Sequence, residues 1–171
     1  MPKQDSQSSS SYSLTSFLGD LGSLPFTLLA LLMLQGYLSG PGLQSASVFG
    51  LYAPYVFIAY SAVILSFLCG TLWAAARAGE PGILANTAII LSNLLALCAW
   101  ASLLLNFVAP LLTIFAVTLL LAGFLSQLWA ERLLGSRASQ TDRAYWSMRL
   151  RITAVVALWH IVVIFMMIQE L

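Results

Sequence analysis

The chain has 171 residues, 60% of them apolar and 8% charged, with seven Lys or Arg against six Asp or Glu and a formal net charge of +1. A water-soluble domain carries charge on about a quarter of its residues, so this chain is no soluble globule and lipid must be its solvent. The charge balance gives no sign of a nucleic-acid footprint, and Cys69 and Cys98, inside apolar runs with no CxxC or Cys/His cluster, suggest no disulfide framework, metal site or cofactor.

Residues 1–20 are Ser-rich and polar, with one Lys and no Arg, and read as a flexible N-terminal tail rather than a signal or transit peptide. A membrane-crossing helix needs about 20 mostly apolar residues. That length divides residues 21–171 into five spans, 21–38, 51–76, 82–105, 109–130 and 151–168. The predicted fold is thus an all-α polytopic bundle of five transmembrane helices. Pro41-Gly42 and Pro54 mark the first turn. The run from Gly82 to Ala130 has no charged residue and is too long for one crossing, so it must fold back near Asn106 to Pro110. The fifth span is expected to have an interfacial extension starting at the N-cap-like Thr141-Asp142.

The charges test this count independently. With an odd number of spans, the N-terminal tail, the 77–81 turn and the 131–151 loop share one side, and all seven cations lie there: Lys3, Arg77, Arg132, Arg137, Arg143, Arg149 and Arg151. The positive-inside rule then places the N-terminus in the cytoplasm and the C-terminus outside. A bacterial inner membrane is the expected location, with the mitochondrial inner membrane as the alternative. Arg77, Arg132, Arg143, Arg149 and Arg151 are expected to face lipid headgroups, and Trp73, Trp129 and Trp146 to anchor the same interface.

Two patterns stand out inside the spans. Ala62, Ser66, Gly70, Ala74 and Ala78 recur every four residues, and such a ridge lets helix backbones approach closely, either within one bundle or against a second protein or copy. Aligned by depth, Ser66, Ser92, Asn93, Thr118 and His160 fall near the middle of the bilayer, where a polar side chain is costly unless hydrogen-bonded inside the bundle. An Asn93 to His160 contact is therefore expected, with Thr153, Ala157 and His160 on one inward face. His160 has no second His, no acidic neighbour at its depth and no Cys beside it, which favours a neutral structural role. No nucleophile, phosphate-loop or paired-carboxylate motif is present, so catalysis is not expected.

Three segments resemble a known family. Leu18 to Phe26 has the shape LGxxGxxPF; Tyr60 to Phe67, followed by Gly70 and Trp73, is similar to a YxAVILSFxxGxxW signature; and Tyr145 to Thr153 resembles a Y-x(3)-R-x(3)-T stretch. The family is the membrane group called domain of unknown function 3429, which includes bacterial inner-membrane proteins and mitochondrial transmembrane protein 69. The resemblance implies a multi-span helical membrane protein and supplies no mechanism. It makes the face of Tyr60, Ala62, Ser66, Gly70, Trp73 and Ala74 the best candidate surface for helix packing or partner docking. The leading expectation is a non-catalytic accessory, assembly or scaffold component of a larger membrane complex, with another membrane protein or a second copy as partner. The alternative is a small transporter or channel for a lipid or small solute, built on Asn93, Thr118 and His160.

Overall fold

A computed structural model describes residues 4–105, 109–135 and 143–171. Hydrocarbon offers no water to backbone N–H and C=O groups, so an apolar run satisfies them internally as a helix. Among the described residues there are five long helices: α1 (Gln4–Leu38), α2 (Ala53–Ala78), α3 (Ile83–Leu105), α4 (Pro110–Gly135) and α5 (Arg143–Gln169). Each contains an apolar stretch of 22 to 26 residues, enough to cross about 30 Å of hydrocarbon. The expected five-span, all-α architecture is the observed one. Part of the fold-back at 106–110, the Thr141-Asp142 helix start, Lys3 and Arg137 lie outside the described residues.

Between α1 and α2 the chain makes a 3-10 turn (Leu43–Ser45) and a small antiparallel hairpin, β1 (Ser47–Val48) and β2 (Leu51–Tyr52), pairing Ser47 with Tyr52 and Val48 with Leu51. Its tip residues, Phe49 and Gly50, have φ of 52° and 77°, the left-handed pair that a tight two-residue hairpin requires. The hairpin takes up Leu51 and Tyr52, so the second helix starts at Ala53, with Pro54 in the first turn where its missing N–H leaves nothing unpaired.

Helices α1, α2, α4 and α5 form a ring of mutual contacts, and α3 packs on the outside against α2 and α4. Apart from Leu95, the buried face of α3 is made of small residues: Ala85, Ala88, Ser92, Ala99 and Ser102. Lipid tails are as apolar as leucine, so helices associate in a bilayer through close backbone approach rather than through hydrophobic exclusion, and small residues permit it. Gly123 on α4 serves the same end, since a Cβ there would lie 2.5 Å from Leu65 Cδ2 of α2. At the centre Phe26 makes edge contacts with Phe57, Tyr60 and Phe124 at centroid distances of 5.7, 4.9 and 6.0 Å.

Polar bonds tie the two ends. At the end that carries the arginines, Arg151 Nη2 donates to both carboxylate oxygens of Asp20, at 2.7 and 2.8 Å. At the other end Glu170 Oε1 accepts the Leu43 backbone N–H at 2.7 Å, which pins the end of α5 to the α1–α2 connection. Midway, Trp159 Nε1 donates to Thr27 Oγ1 at 3.0 Å.

Candidate functional site

Towards the arginine end the ring is incomplete. A cavity of about 460 Å³ lies among α1, α2, α4 and α5. On α1 its wall is Leu18, Gly19, Gly22 and Phe26. A Cβ on Gly22 would meet nothing within 4 Å, so the absent side chain is itself part of the space. On α2 the wall is Ile64, Phe67, Leu68 and Thr71. Leu18, Phe67 and Thr71 are also exposed on the outer surface, so the cavity opens sideways between α1 and α2, towards lipid. Just below this mouth the Tyr60 hydroxyl donates to the Gly22 carbonyl at 2.8 Å and holds the two helices together.

The far wall is polar at one end. Glu131 of α4 and Arg149 of α5 form a forked ion pair, with Arg149 Nε donating to Oε2 at 2.8 Å and Nη2 to Oε1 at 2.9 Å. Their side chains are 8% and 12% exposed for Arg149 and Glu131 respectively. Gln127 Nε2, one turn before Glu131, donates to the Leu68 carbonyl at 2.7 Å and reaches Glu131 Oε1 at 3.4 Å. Tyr145, Arg149 and Thr153 succeed one another at four-residue steps along α5, so all three present to the cavity. From Arg149 the wall runs seven residues to Val156, about 10 Å at the helical rise. Apart from Thr153, that stretch meets apolar side chains.

Behind the inner end of the cavity stands His160. Its ring is fully buried, with centroids 5.8, 4.8 and 5.4 Å from those of Phe26, Phe57 and Phe124. Nδ1 lies 2.8 Å from the Val156 carbonyl, which assigns the proton to Nδ1, and Nε2 has no partner among the described residues. Phe26, Phe124 and Val156 separate the imidazole from the cavity.

Several expectations are corrected here. Asn93 does not meet His160: it is exposed on the outer face of α3 and its Nδ2 donates to the Ile89 carbonyl at 2.8 Å. Thr118 is likewise exposed on α4 and bonds to the Ile114 carbonyl at 2.9 Å. Both satisfy their polar groups on their own helix, so neither has to point inward and no midplane polar layer forms around His160. Arg149 does not face headgroups, because the Glu131 carboxylate matches its guanidinium fork and draws it inside. The bundle therefore does contain buried charge. The remaining cations among the described residues stay out: Arg132 and Arg143 are exposed, Arg151 holds the exposed Asp20, and Arg77 lies 5.5 Å over the Trp73 ring.

The α2 ridge divides. Ala62 is buried and Tyr60 half-buried, but Ser66, Gly70 and Ala74 are exposed, with Trp73 beside them, and nothing lies within 4 Å of where a Gly70 Cβ would be. The small-residue seam that packs inside the bundle is the one on α3. Glu131 and Gln127 were missed as site residues although a signal existed: two polar residues four apart, breaking an apolar run on the face that carries Phe124. Among the described residues no three His, Cys, Asp or Glu side chains converge.

The three segments that carry the family resemblance meet at this cavity: Gly19, Gly22 and Phe26 from the first, Ile64 and Phe67 from the second, and Tyr145, Arg149 and Thr153 from the third. No curated protein and no solved structure matches the chain. The profile described as protein of unknown function (DUF3429) matches residues 12–165, nearly the whole length including every wall of the cavity, and the chain belongs to that family.

Proposed function

We propose that this protein is a non-catalytic accessory protein of a membrane that takes one amphiphile from the bilayer into the cavity between α1 and α2. The observation that carries the reading is the shape and chemistry of that cavity. It opens sideways to lipid, has apolar walls for about 10 Å, and ends on Glu131, Arg149 and Tyr145 near the end of the bundle. An amphiphile entering from the side would lay its tail along Phe26, Phe67 and Ile152 and bring its head to the ion pair. A non-catalytic role is supported because the one carboxylate among the described residues that line the cavity, Glu131, is already held by Arg149. The arginine distribution supports placing that end in the cytoplasm, with the bacterial inner membrane favoured over the mitochondrial one.

The test is native mass spectrometry of the protein purified in mild detergent, comparing the wild type with Gly22→Phe. Open space surrounds the Gly22 Cβ position, so the larger ring fits without displacing a helix and fills the cavity instead. The wild type is expected to retain a single co-purified amphiphile that the variant lacks. Equal retention by both proteins would refute the reading.

A second reading, in which the accessory role is exercised through a docked membrane protein, is favoured by the exposed Ser66, Gly70 and Ala74 on the outer face of α2. Affinity purification in mild detergent tests it: a stoichiometric membrane partner lost in Gly70→Leu supports it, and a protein that emerges alone does not. A transporter or channel has less support, since Asn93 and Thr118 face away from the interior.

A further inference from the structure

Thr153 differs from every other helical threonine whose side chain is described. Thr27, Thr71, Thr87, Thr113 and Thr118 each donate to a backbone carbonyl three or four residues back. Thr153 is only 5% exposed and lines the cavity, yet its hydroxyl has no hydrogen-bond partner among the described residues. The hydroxyl therefore faces the cavity rather than sealed protein, and in an apolar space a ligand that supplies its partner gains a hydrogen bond that the empty cavity does not offer. The position is informative too. Thr153 lies one helical turn deeper than Arg149, about 6 Å further from the end of the bundle.

Charge narrows the ligand. Glu131 and Arg149 neutralise each other through two hydrogen bonds, so the polar end of the cavity has no net charge to offer. An anionic head would lie against the Glu131 carboxylate and a cationic head against the Arg149 guanidinium, each competing with a pair that is nearly dry. An uncharged head meets neither penalty. Resting on the amphiphile reading above, we infer that the ligand is an uncharged, carbonyl-bearing lipid whose carbonyl oxygen accepts a hydrogen bond from the Thr153 hydroxyl, while its tail occupies the space beside Phe26 and Gly22. An ester of a neutral glyceride and a ring ketone of a quinone share this chemistry.

Four probes with the same ten-carbon tail separate the outcomes in native mass-spectrometric titrations of the full chain: monodecanoylglycerol, decylubiquinone, decanoate and decyltrimethylammonium. One or both uncharged probes are expected to bind one to one, and the stronger of the two identifies ester or quinone as the source of the carbonyl. Thr153→Val keeps the shape and removes the hydroxyl, and is expected to weaken the bound probe about five- to tenfold. Because the hydroxyl has no partner to lose among the described residues, the variant should unfold no more easily than the wild type. Unchanged affinity in Thr153→Val, or equal binding of decanoate or the ammonium probe, overturns the inference while leaving the amphiphile reading in place. If none of the four binds, both fall.

Discussion

Removing one member of the ion pair is the sharpest test of how the arginine end is held. Arg149→Met keeps an apolar stem of similar length but leaves Glu131 charged, 12% exposed, with Gln127 Nε2 at 3.4 Å as its remaining donor. Breaking a buried pair in this way costs roughly 3–5 kcal/mol, because the remaining charge has lost its compensation. Glu131 sits in the last turns of α4 and is not fully dry, so the lower end applies, about 3 kcal/mol. The double variant Glu131→Gln with Arg149→Met removes both charges together and should fall within about 1 kcal/mol of the wild type. The coupling between the two sites is then about 2 kcal/mol or more, well above the few tenths expected of independent positions. Unfolding by SDS titration from mixed micelles, followed by helical circular dichroism, measures all four corners of the cycle. The reasoning fails if Arg149→Met alone costs less than about 1 kcal/mol, or if the double variant costs the sum of the singles.

Three further outcomes follow from named contacts. Gly123→Ala places a methyl 2.5 Å from Leu65 Cδ2 and should destabilise the bundle by about 1–3 kcal/mol; adding Leu65→Ala should relieve the crowding part of that loss, and the same SDS titration shows whether it does. His160→Leu removes one bond to the Val156 carbonyl together with an unpaired Nε2, so stability should stay within about 1 kcal/mol, and amphiphile retention in native mass spectrometry should be unchanged because Phe26 and Phe124 wall the ring off; lost retention in a folded variant would assign His160 to the site. Burial, then the neighbouring Glu170 and Tyr55, push the Tyr52 phenol above its ordinary value of 10.0. The folded state therefore holds that proton more tightly than the unfolded one, so its stabilisation is complete below the ordinary value and is lost as pH rises through the raised one. Amide exchange across the hairpin should accelerate above pH 10 in the wild type, and Tyr52→Phe should lose that part of the pH dependence.

The number of helices and where they run were legible in the residues alone, because crossing hydrocarbon requires only length and apolarity, and both are properties of a segment taken by itself. The arginines at 77, 132, 143, 149 and 151 marked one end of the bundle for the same reason. The inward face of each helix was not legible. In water a helix declares its buried side by burying its apolar stripe, but in lipid both sides are apolar and the contrast vanishes. Asn93 and Thr118 could be drawn inward only on the premise that polar groups avoid lipid, and each escapes it by bonding to its own helix. Small residues on α2 and on α3 carried the same packing signal, and only the placement of α3 against α2 and α4 decided that the second seam is the buried one. The candidate site depended on tertiary structure most of all. Gly22, Phe67, Glu131, Arg149 and Thr153 come from four helices spread over 132 residues of chain, and no local pattern tells a carboxylate at the end of one helix that a guanidinium at the start of the next will meet it at 2.8 Å.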